Sequence, residues 1–511
     1  MLIKIYGSAT HGVAAQTITI EVNVDTGGIG YHLVGLPDNA IKESSYRISA
    51  ALKNVGYKIP GKKITINMAP ADLRKEGSAY DLSIAVGILA ASDQILAENI
   101  QDYIIMGELS LDGTLQPIKG VLPIAIQARE EGFKGIILPK QNTREAAIVN
   151  DLEVYGAENI KEVIDFFNEG KPLEKVMVDT RKEFQEKINL FPFDFSEVKG
   201  QETAKRAMEV AAAGGHNIIL IGPPGSGKTM LAKRIPSILP PLTLKEALET
   251  TKIHSVAGKM KSGTSLMTVR PFRSPHHTIS DVALVGGGSY PQPGEISLAH
   301  NGVLFLDEMP EFKRTVLEVM RQPLEDREVT ISRSKFTVNY PASFMLVASM
   351  NPSPSGFFPD DPNNTSTTFE MQRYMNKLSG PLLDRIDIHI EVQKVEFEQL
   401  AEKRKGEKSE EIRRRVLIAR QIQNERYKDL KISYNAQIGP KEIEQFCELD
   451  EISFNLIKTA MEKLNLSARA YDRILKVART IADLEESERI LSHHISEAIQ
   501  YRSLDRGFWN I

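Results

Sequence analysis

The first 168 residues alternate between strand-like and helix-like patterns of apolar side chains. Residues 17–24 (TITIEVNV) and 62–70 (KKITINMAP) place apolar side chains at every second position, as half-buried strands do. Residues 41–57 (IKESSYRISAALKNVGY) follow the helical period, and residues 80–92 (YDLSIAVGILAAS) predict an apolar helix. Residues 134–140 (KGIILPK) have the continuous apolar run of a buried strand. The pattern therefore predicts a mixed α/β domain.

The rest of the chain changes character twice. Residues 169–192 are polar and highly charged, which is typical of a linker with one exposed helix. Residues 193–393 contain short apolar strands, and from residue 394 the chain is helical and charged. A long solvated helix is predicted at 402–427, followed by amphipathic helices. The predicted organisation is an N-terminal domain, a linker, a core at 193–393 and a helical domain at 394–511.

The amino-acid composition is that of a soluble protein, and it does not identify a binding partner. Apolar residues make up 41% of the 511 residues and charged residues 25%, so soluble domains with an ample core are expected. The net charge of −4 does not by itself indicate nucleic-acid binding, although a local basic surface still could. Cys447 is the one cysteine, which excludes an internal disulfide or cysteine zinc site and predicts a small buried side chain. Without an apolar leader or an 18-residue apolar run, we expect a cytoplasmic protein.

A phosphate-binding motif follows the strand predicted at 217–221. The loop from Gly222 to Thr229 fits G-x-x-x-x-G-K-[ST] and leads into a helix. Glycines let backbone N–H groups approach phosphate oxygens, and the start of the helix adds positive potential. Lys228 is expected to reach the β- and γ-phosphates, and the Thr229 hydroxyl to ligate Mg²⁺. The predicted cofactors are ATP and Mg²⁺, bound through Gly222, Pro223, Pro224, Gly225, Ser226, Gly227, Lys228 and Thr229.

Two further strand ends carry polar residues suited to hydrolysis. Val303–Leu306 form an apolar run, and Asp307 and Glu308 follow it. Asp307 is expected to hold Mg²⁺ and Glu308 to act as the base for the attacking water. Asn351 ends the apolar segment SFMLVASMNP and is interpreted as the polar sensor of an AAA+ ATPase.

Several long motifs resemble the magnesium-chelatase-like AAA+ family, specifically its YifB/ComM group. They are SEVKGQETAKRAMEVAAAGGHNIILIGPPGSGKT, RPFRSPHHTISDVALVGGG, PGEISLAHNGVLFLDEMPEF, LSGPLLDRIDIHIEV and SARAYDRILKVARTIADLE. The resemblance implies a homo-hexamer in which Arg385 is the arginine finger for the neighbouring subunit's ATP. It also implies Arg469 as the second sensor on the helical lid, with Arg473 as the alternative, and places Val198 and Gly200 near the adenine.

The spacing from Lys228 to Asp307 is 79 residues, which leaves room for an insertion. The surplus includes Arg270, Arg273 and the pair His276-His277, for which a structural or loop role is favoured over metal binding. A second insertion, EDREVTISRSKFTVNYPA at 325–342, alternates like a β-hairpin. In related helicases both insertions point into the pore of the ring. Arg333 and Lys335, with Arg270 and Arg273, are therefore candidate DNA contacts through phosphate.

Two segments depart from what their resemblances imply. Many relatives have cysteines after the Asn-Pro, where this chain has Ser353 and Ser355, so we expect no metal knuckle and a polar, mobile loop. The N-terminal region resembles the proteolytic domain of Lon, whose serine and lysine positions fall on Ala79 and Leu122. Ser78 and Lys119 are displaced by one and three residues, so a Lon-like fold without protease chemistry is expected.

Three functions remain open at this point. The resemblance favours an ATP-dependent DNA motor for helicase or branch-migration activity, supporting recombination of incoming DNA in natural transformation. Its partners would be single-stranded or branched DNA and recombination proteins, with no membrane involved. A protein remodeller or protease-related ATPase is the first alternative, although the insertion shows no clear aromatic threading pair beyond the nearby Tyr290. A magnesium-chelatase-type motor subunit is the second alternative.

Overall fold

A computed structural model describes residues 2–96, 98–187, 191–261, 263–288, 291–333, 336–395, 406–464 and 466–502. In chain order the strands are β1 Leu2–His11, β2 Ala14–Asp25, β3 Gly30–Val34, β4 Lys63–Ala69, β5 Tyr103–Ile105, β6 Glu108–Leu109, β7 Leu115–Gln116, β8 Gly135–Pro139, β9 Glu153–Ala157, β10 Glu174–Val176, β11 Ile218–Ile221, β12 Phe272–Arg273, β13 Gly286–Gly287, β14 Gln292–Pro293, β15 Val303–Leu306, β16 Glu328–Arg333, β17 Phe336–Pro341, β18 Met345–Met350 and β19 Ile388–Glu391.

The helices follow in the same order. They are α1 Asn39–Lys42, α2 Ser44–Asn54, α3 Asp81–Ala91, α4 Val121–Glu130, α5 Thr143–Ala146, α6 Ile160–Glu169, α7 Thr180–Lys187, α8 Glu202–Gly214, α9 Lys228–Ala232, α10 Ile235–Ile238, α11 Leu244–Val256, α12 Asp281–Val285, α13 Glu295–Leu298, α14 Arg314–Glu318, α15 Arg321–Asp326, α16 Thr368–Met375, α17 Gly380–Leu383, α18 Ser409–Arg426, α19 Pro440–Phe446, α20 Glu451–Leu464, α21 Ala468–Leu484 and α22 Ser492–Gln500.

The chain forms two compact units. The first contains residues 1–187, 244–268 and 291–293, and the second contains 188–243, 269–290 and 294–511. The first unit is built on an eight-stranded mixed sheet in the order β10-β9-β8-β5-β1-β2-β4-β3. The apolar helix α3 is buried along its whole length and packs on β1 and β2. The strands and helices predicted in this region are confirmed.

Two segments that were predicted as a linker and as part of the core belong to the first unit. Within the predicted linker, β10 pairs antiparallel with β9 and α7 follows it. The first insertion provides α11, which belongs to the first unit and packs on α4. The Ser255 carbonyl accepts from Gly120 N at 3.0 Å, and the Ser255 hydroxyl accepts from Leu122 N at 3.3 Å. These contacts were missed because they join residues 133 or more positions apart.

The second unit has a five-stranded parallel sheet in the order β12-β15-β18-β11-β19. The C-terminal helices belong to this unit, and α18 packs on α8 and α21. The helix predicted at 402–427 begins at Ser409 in α18, and residues 396–405 lie outside the described residues. The prediction that it is solvated was wrong, since Ile412, Val416 and Ala419 are buried in the core. Cys447 is buried and free, as predicted, and burial raises the pKa of its thiol to about 12.

One carboxyl in the first unit, that of Glu76, is expected to make the stability of this unit depend on pH. Glu76 Oε1 is buried and has no hydrogen-bond partner among the described residues, and Arg74 Nε lies 3.8 Å away. Burial, reinforced by the charge of Asp38, raises the pKa of Glu76 from 4.5 to about 8. Because the folded state favours the protonated carboxyl, Glu76 contributes fully to the free energy of unfolding below pH 4.5. This contribution is lost as the pH rises through 8 and the buried carboxyl ionises.

Glu76→Gln is therefore expected to raise the melting temperature of the full chain increasingly between pH 5 and pH 9. The gain should reach a few degrees, on the order expected for a domain of this size, and level off above the pKa of the carboxyl. Thermal unfolding followed by circular dichroism would measure it. Glu130→Gln, at an exposed position on α4, is the control and should give no such trend. A gain independent of pH would contradict the burial argument.

Candidate functional site

The parallel sheet of the second unit brings three polar strand ends together. Strand β11 pairs with β18, and β18 pairs with β15, all in parallel. Since parallel strands end at the same edge of a sheet, the residues after β11, β15 and β18 are neighbours there. The register places Asp307 and Ser349 directly after the paired Leu306 and Ala348. The predicted phosphate loop, Asp307 and Asn351 thus share one edge.

The phosphate loop connects β11 to α9 through a close-packed backbone. At Gly222 a Cβ would lie 2.1 Å from the Val392 carbonyl oxygen, so a larger residue would push β19 away. Gly227 has φ +89°, which favours glycine, and it precedes the first residue of α9. Ser226 is buried, and its Oγ has no hydrogen-bond partner among the described residues. An orphaned hydroxyl beside a helix start fits an anionic ligand.

Lys228 lies at the centre of this edge. Its Nζ donates to the Gly222 carbonyl at 2.6 Å, to the Pro223 carbonyl at 3.0 Å and to Asn351 Oδ1 at 3.2 Å. Burial lowers the pKa of Lys228, and the charges of Asp307 and Glu308 partly offset that effect. The loop and the end of β18 are therefore joined through one ammonium group.

A second set of hydrogen bonds links the helix start to β15. Thr229 Oγ1 donates to Asp307 Oδ2 at 2.8 Å. The other carboxylate oxygen of Asp307 accepts from the Ser349 hydroxyl, and the same hydroxyl accepts from Glu308 N at 3.2 Å. Ser349 was not predicted, although a serine inside the apolar run MLVASM could have indicated it. The Thr229 hydroxyl and the Asp307 carboxylate are hard oxygen donors, so these two residues fit Mg²⁺.

The backbone of Glu308 is not extended like that of the strand before it. Its φ of +53° lies in the left-handed region, and its side chain is 57% exposed. His277 Nδ1 lies 4.0 Å from Glu308 Oε2. Asn351 is held from its other side, since its carbonyl accepts from the Tyr374 hydroxyl at 3.3 Å.

The region predicted for adenine lies near the start of α8. Val198 is fully buried, and Gly200 has φ +60°. Gln201 donates through Nε2 to the Ser226 carbonyl at 3.2 Å and to the Gln393 carbonyl at 2.5 Å. A cavity of about 380 Å³ opens between the start of α8, the end of β19 and the end of α22. The cavity is lined by Gln201 but not by Val198 or Gly200.

The predicted arginines form a separate cluster. Arg385 is 9% exposed, pairs with Glu325 and donates through Nη1 to the Pro381 carbonyl. Arg469 Nη1 lies 3.2 Å from Asp384 Oδ2, and Arg473 pairs with the buried Asp387. Together with Lys476 they line a cavity of about 160 Å³. Among the described residues, the hydrogen bonds and ion pairs of this cluster do not reach the phosphate loop of the same chain.

Two of the four DNA-contact candidates have structural partners instead. Arg270 donates to the carbonyls of Pro240, at 2.6 Å, and Asn301, at 2.7 Å. Arg273 forms two 2.6 Å bonds to the Glu295 carboxylate. Both guanidinium groups already have partners within the second unit, and their contact with DNA phosphate stays a prediction. The predicted hairpin is confirmed as β16 and β17.

The other two candidate DNA contacts, Arg333 and Lys335, lie partly or wholly outside the described residues. Arg333 is the last residue of β16, and its side chain lies outside the described part of the structure. Lys335 and Tyr290 lie outside the described residues altogether.

The histidine pair is not in a strand, because β12 ends at Arg273. His276 and His277 lie in the turn that follows, with ring centroids 4.1 Å apart and planes at 33°. The loop position predicted for this pair is therefore confirmed.

The serine segment after Asn351, for which a polar and mobile loop was predicted, is linked by hydrogen bonds between its polar side chains. Ser355 Oγ donates to Asn364 Oδ1 at 2.8 Å and lies 2.9 Å from Ser353 Oγ. Ser366 Oγ accepts from Ser355 N at 3.0 Å. Polar side chains thus bridge the segment at Ser353 and Ser355.

The residues beside the two Lon-like positions have other partners. The Ser78 hydroxyl donates to Glu108, and the Lys119 side chain lies against Gly258, where a Cβ would be 2.8 Å from its Cε. Leu122 N donates to Glu145 Oε1 at 3.1 Å. The contacts found for Ser78 and Lys119 do not bring them together.

Comparisons with known proteins match nearly the whole chain. The family described as magnesium chelatase, subunit ChlI, matches residues 194–400, the family described as subunit ChlI of Mg-chelatase matches 20–142, and its C-terminal family matches 406–502. The chain is 46% identical over 506 residues to competence protein ComM of Haemophilus influenzae, covering 98% of this chain and 97% of that protein. The chain belongs to the YifB/ComM group of magnesium-chelatase-like AAA+ proteins.

This chain is also similar to two other relatives. It is 44% identical over 503 residues to the protein YifB of Escherichia coli, covering 98% of this chain and 97% of that protein. It is 31% identical over 160 residues to Lon protease 2 of Bacillus subtilis, covering 29% of this chain and 28% of that protein. The Lon-like and AAA+ fold class predicted from the sequence is therefore confirmed. None of the described helices is long and apolar enough to cross a membrane.

Proposed function

We propose that this chain is an ATPase that works as a ring-shaped DNA motor. The observation that carries the ATPase proposal is the hydrogen-bonded edge of the parallel sheet. Lys228 reaches Asn351 at 3.2 Å, and Thr229 reaches Asp307 at 2.8 Å. A cation, a hydroxyl, a carboxylate and an amide thus meet beside a helix start, which is the set of groups that phosphoryl transfer requires.

Each residue has a distinct task in this proposal. Lys228 exchanges its carbonyl partners for the β- and γ-phosphates, and the Ser226 hydroxyl and loop N–H groups contact phosphate oxygens. Thr229 and Asp307 hold Mg²⁺, which when bound neutralises charge on the phosphates. Glu308 accepts a proton from the attacking water, and Asn351 orients that water. Val198 and Gly200 border the adenine.

The arginine cluster supports catalysis between subunits. Arg385 and Arg469 contact Glu325 and Asp384 of their own chain, rather than their own phosphate loop. A guanidinium supplied by a neighbour stabilises the charge of the transition state. We therefore assign Arg385 as the finger across the interface of a homo-hexamer, and Arg469 as the second sensor on the helical lid. Arg473 is committed to the buried Asp387 and is not favoured for this role.

A DNA motor is favoured by the relatives and by the hairpin of the second unit. The relative that is 46% identical over 506 residues is named a competence protein, which supports a role with incoming DNA in natural transformation. Arg333 is the last residue of β16 in the hairpin β16–β17, and Lys335 follows it two positions later in the sequence. Basic residues at the turn of a pore hairpin would give affinity for phosphate without reading sequence.

The rate of ATP hydrolysis with different polymers tests the proposal. We expect stimulation by branched or single-stranded DNA and none in Lys228→Ala, which loses the phosphate contact. Stimulation by unfolded protein alone would favour the protein remodeller instead. Stimulation by neither polymer would remove the support for a DNA motor while leaving the ATPase proposal intact.

Neutralising Arg333 and Lys335 together is expected to weaken DNA binding and flatten its salt dependence. Each lost phosphate contact should lower the slope of log affinity against log salt by about 0.9 for duplex DNA. Fluorescence anisotropy over a range of salt concentrations measures this slope. Alanine at the exposed Lys441 and Lys458 removes the same charge elsewhere and should leave the slope unchanged. An unchanged slope in the hairpin variant would exclude these two side chains from the DNA interface.

A further inference from the structure

Both ends of the hairpin β16–β17 meet at Arg327. This residue follows α15 directly, has φ +57°, in the left-handed region, and precedes Glu328, the first residue of β16. The Arg327 carbonyl accepts from Ala342 N at 2.7 Å, and Ala342 is the residue after β17. Arg327 Nη1 also donates to Ser343 Oγ at 3.3 Å. One residue thus closes the base of the hairpin through its backbone and its side chain.

The side chain of Tyr434, between α18 and α19, reaches this base. Its hydroxyl oxygen accepts from Arg327 Nη1 at 2.5 Å and lies 3.4 Å from Ser343 Oγ. The guanidinium carbon of Arg327 lies 5.0 Å from the centroid of the Tyr434 ring, within the range of a cation–π contact. Tyr434 therefore contacts one residue at each end of the hairpin.

The same ring also contacts α18 and the end of α8. The guanidinium carbon of Arg420, on α18, lies 4.4 Å from the ring centroid, and Arg420 Nη2 donates to the Ala212 carbonyl in α8 at 3.0 Å. A Cβ at Gly215, which follows α8, would lie 2.4 Å from Tyr434 Cδ2, so the ring lies on the backbone there. Strand β11 begins at Ile218 and leads into the phosphate loop. Tyr434 therefore joins the base of the hairpin to the segment that enters the phosphate loop.

The backbone that carries Tyr434 is fixed to the C-terminal helices through Asn435. Asn435 is fully buried, and its N donates to Gln423 Oε1, on α18, at 3.1 Å. Asn435 Nδ2 donates to Asp483 Oδ2, on α21, at 2.8 Å. Buried polar contacts that are satisfied in this way hold a segment rigidly. Tyr434 is therefore expected to move together with α18 and α21.

The hairpin itself is not fixed by the main sheet. Strands β16 and β17 form a two-stranded sheet of their own, outside the five-stranded sheet. A cavity of about 230 Å³ beside the base is lined in part by Arg327, Ala342 and Gln437. The hairpin therefore has room to shift as one body when its base is moved.

We propose that Tyr434 couples the hairpin β16–β17 to the nucleotide site. When ATP binding moves the C-terminal helices, Tyr434 moves with them and shifts the base of the hairpin through Arg327. The bond from the guanidinium to the hydroxyl is charge-assisted, so it is strong enough to pass on such a movement. The inference rests on the proposed DNA motor and adds the step that connects ATP to the candidate DNA contact.

Hydrogen exchange with and without a non-hydrolysable ATP analogue tests the coupling in the absence of DNA. In the wild type the analogue is expected to change the exchange rates of the amides in β16 and β17. Tyr434→Phe keeps the ring and removes only the hydroxyl, so most of that change should be lost. Protection of the phosphate loop at 222–229 shows in each variant that the analogue is bound. A wild-type hairpin that does not respond, or a full response in Tyr434→Phe, would overturn the inference.

Tyr471→Phe is the matched control. Tyr471 lies on α21, packs against the core of the second unit, and its hydroxyl has no hydrogen-bond partner among the described residues. Its replacement should leave the response of the hairpin intact, and a loss equal to that of Tyr434→Phe would overturn the inference. Arg327→Gln should also lose the response, and adding Tyr434→Phe to it should cause no further loss. An additive loss would show that the two residues do not act through one contact.

ATP hydrolysis with DNA separates this inference from the proposed function. Tyr434→Phe is expected to lower the stimulation by DNA by about 10-fold, the effect of one hydrogen bond to a charged group. Basal hydrolysis and DNA affinity should stay near the wild-type values, because the phosphate loop, Arg333 and Lys335 are unchanged. Unchanged stimulation, or an equal fall of the basal rate, would overturn the inference. A wild type whose hairpin responds to the analogue through Tyr434, but whose hydrolysis no DNA stimulates, would instead contradict the proposed DNA motor.

Discussion

Glu308→Gln is expected to lower the rate of ATP hydrolysis by about 10²- to 10⁴-fold while ATP stays bound. The amide has nearly the shape of the carboxylate but cannot accept the proton of the attacking water. Lys228, Thr229 and Asp307 are unchanged, and they are joined to Asn351 and Ser349 rather than to the Glu308 carboxylate. Single-turnover hydrolysis and retention of radiolabelled ATP on a desalting column would measure the two effects.

Glu311→Gln is the matched control for that experiment. Glu311 lies three residues away, is 45% exposed at its side chain and pairs with Lys377 at 3.2 Å on the surface. Exposed pairs of this kind contribute little, so activity should stay near that of the wild type. Hydrolysis at the wild-type rate in Glu308→Gln would show that another group activates the water. Loss of ATP binding in the same variant would show that Glu308 contributes to the nucleotide site itself.

Arg385→Ala is expected to lower the hydrolysis rate by about 10³- to 10⁵-fold, the range for loss of an arginine finger. The side chain lies 9% exposed against Glu325, outside the contacts of its own phosphate loop. Each active interface would therefore need Glu308 from one subunit and Arg385 from the next. Mixing Arg385→Ala with Glu308→Gln, both inactive alone, should restore part of the activity through interfaces that have both residues.

Arg321→Ala controls for the loss of a guanidinium on the same unit. Arg321 pairs with Glu318 at 3.0 Å on the surface, and its removal should leave hydrolysis close to the wild-type rate. Mixed rings that stay inactive while both variants still assemble would place the finger in the same chain as its phosphate loop. Sedimentation or mass photometry of the mixture establishes that assembly.

Local patterns predicted the strands around the candidate site because short apolar runs determine where these strands lie in the sequence. Val303–Leu306 have four buried apolar residues followed by two acids, and the structure gives β15 those bounds. The hairpin before β18 was found for the same reason, since its alternation extends over both strands. Such features depend on neighbours in sequence, which periodicity captures.

What was missed depends on partners far away in sequence. Ser349 is two residues from a predicted residue, yet its task is visible only once β18 lies beside β15. The positive charge of Arg270 and Arg273 suggested contacts with DNA. In the structure Arg270 donates to backbone carbonyls, and Arg273 pairs with Glu295. Charge in a sequence does not reveal whether a folded partner already neutralises it.

The placement of α11 limits how this protein can be cut into fragments. Residues 244–268 interrupt the second unit in sequence but fold with the first. A fragment that begins after residue 187 would keep α11 without α4, and it would expose Ala247, Ile253 and Val256 to solvent. Such a fragment is expected to aggregate whatever its catalytic competence. An ATPase fragment that replaces 244–268 with a short polar connection is the sounder design, and the inactivity of a simple N-terminal truncation would carry no information about what the first unit does.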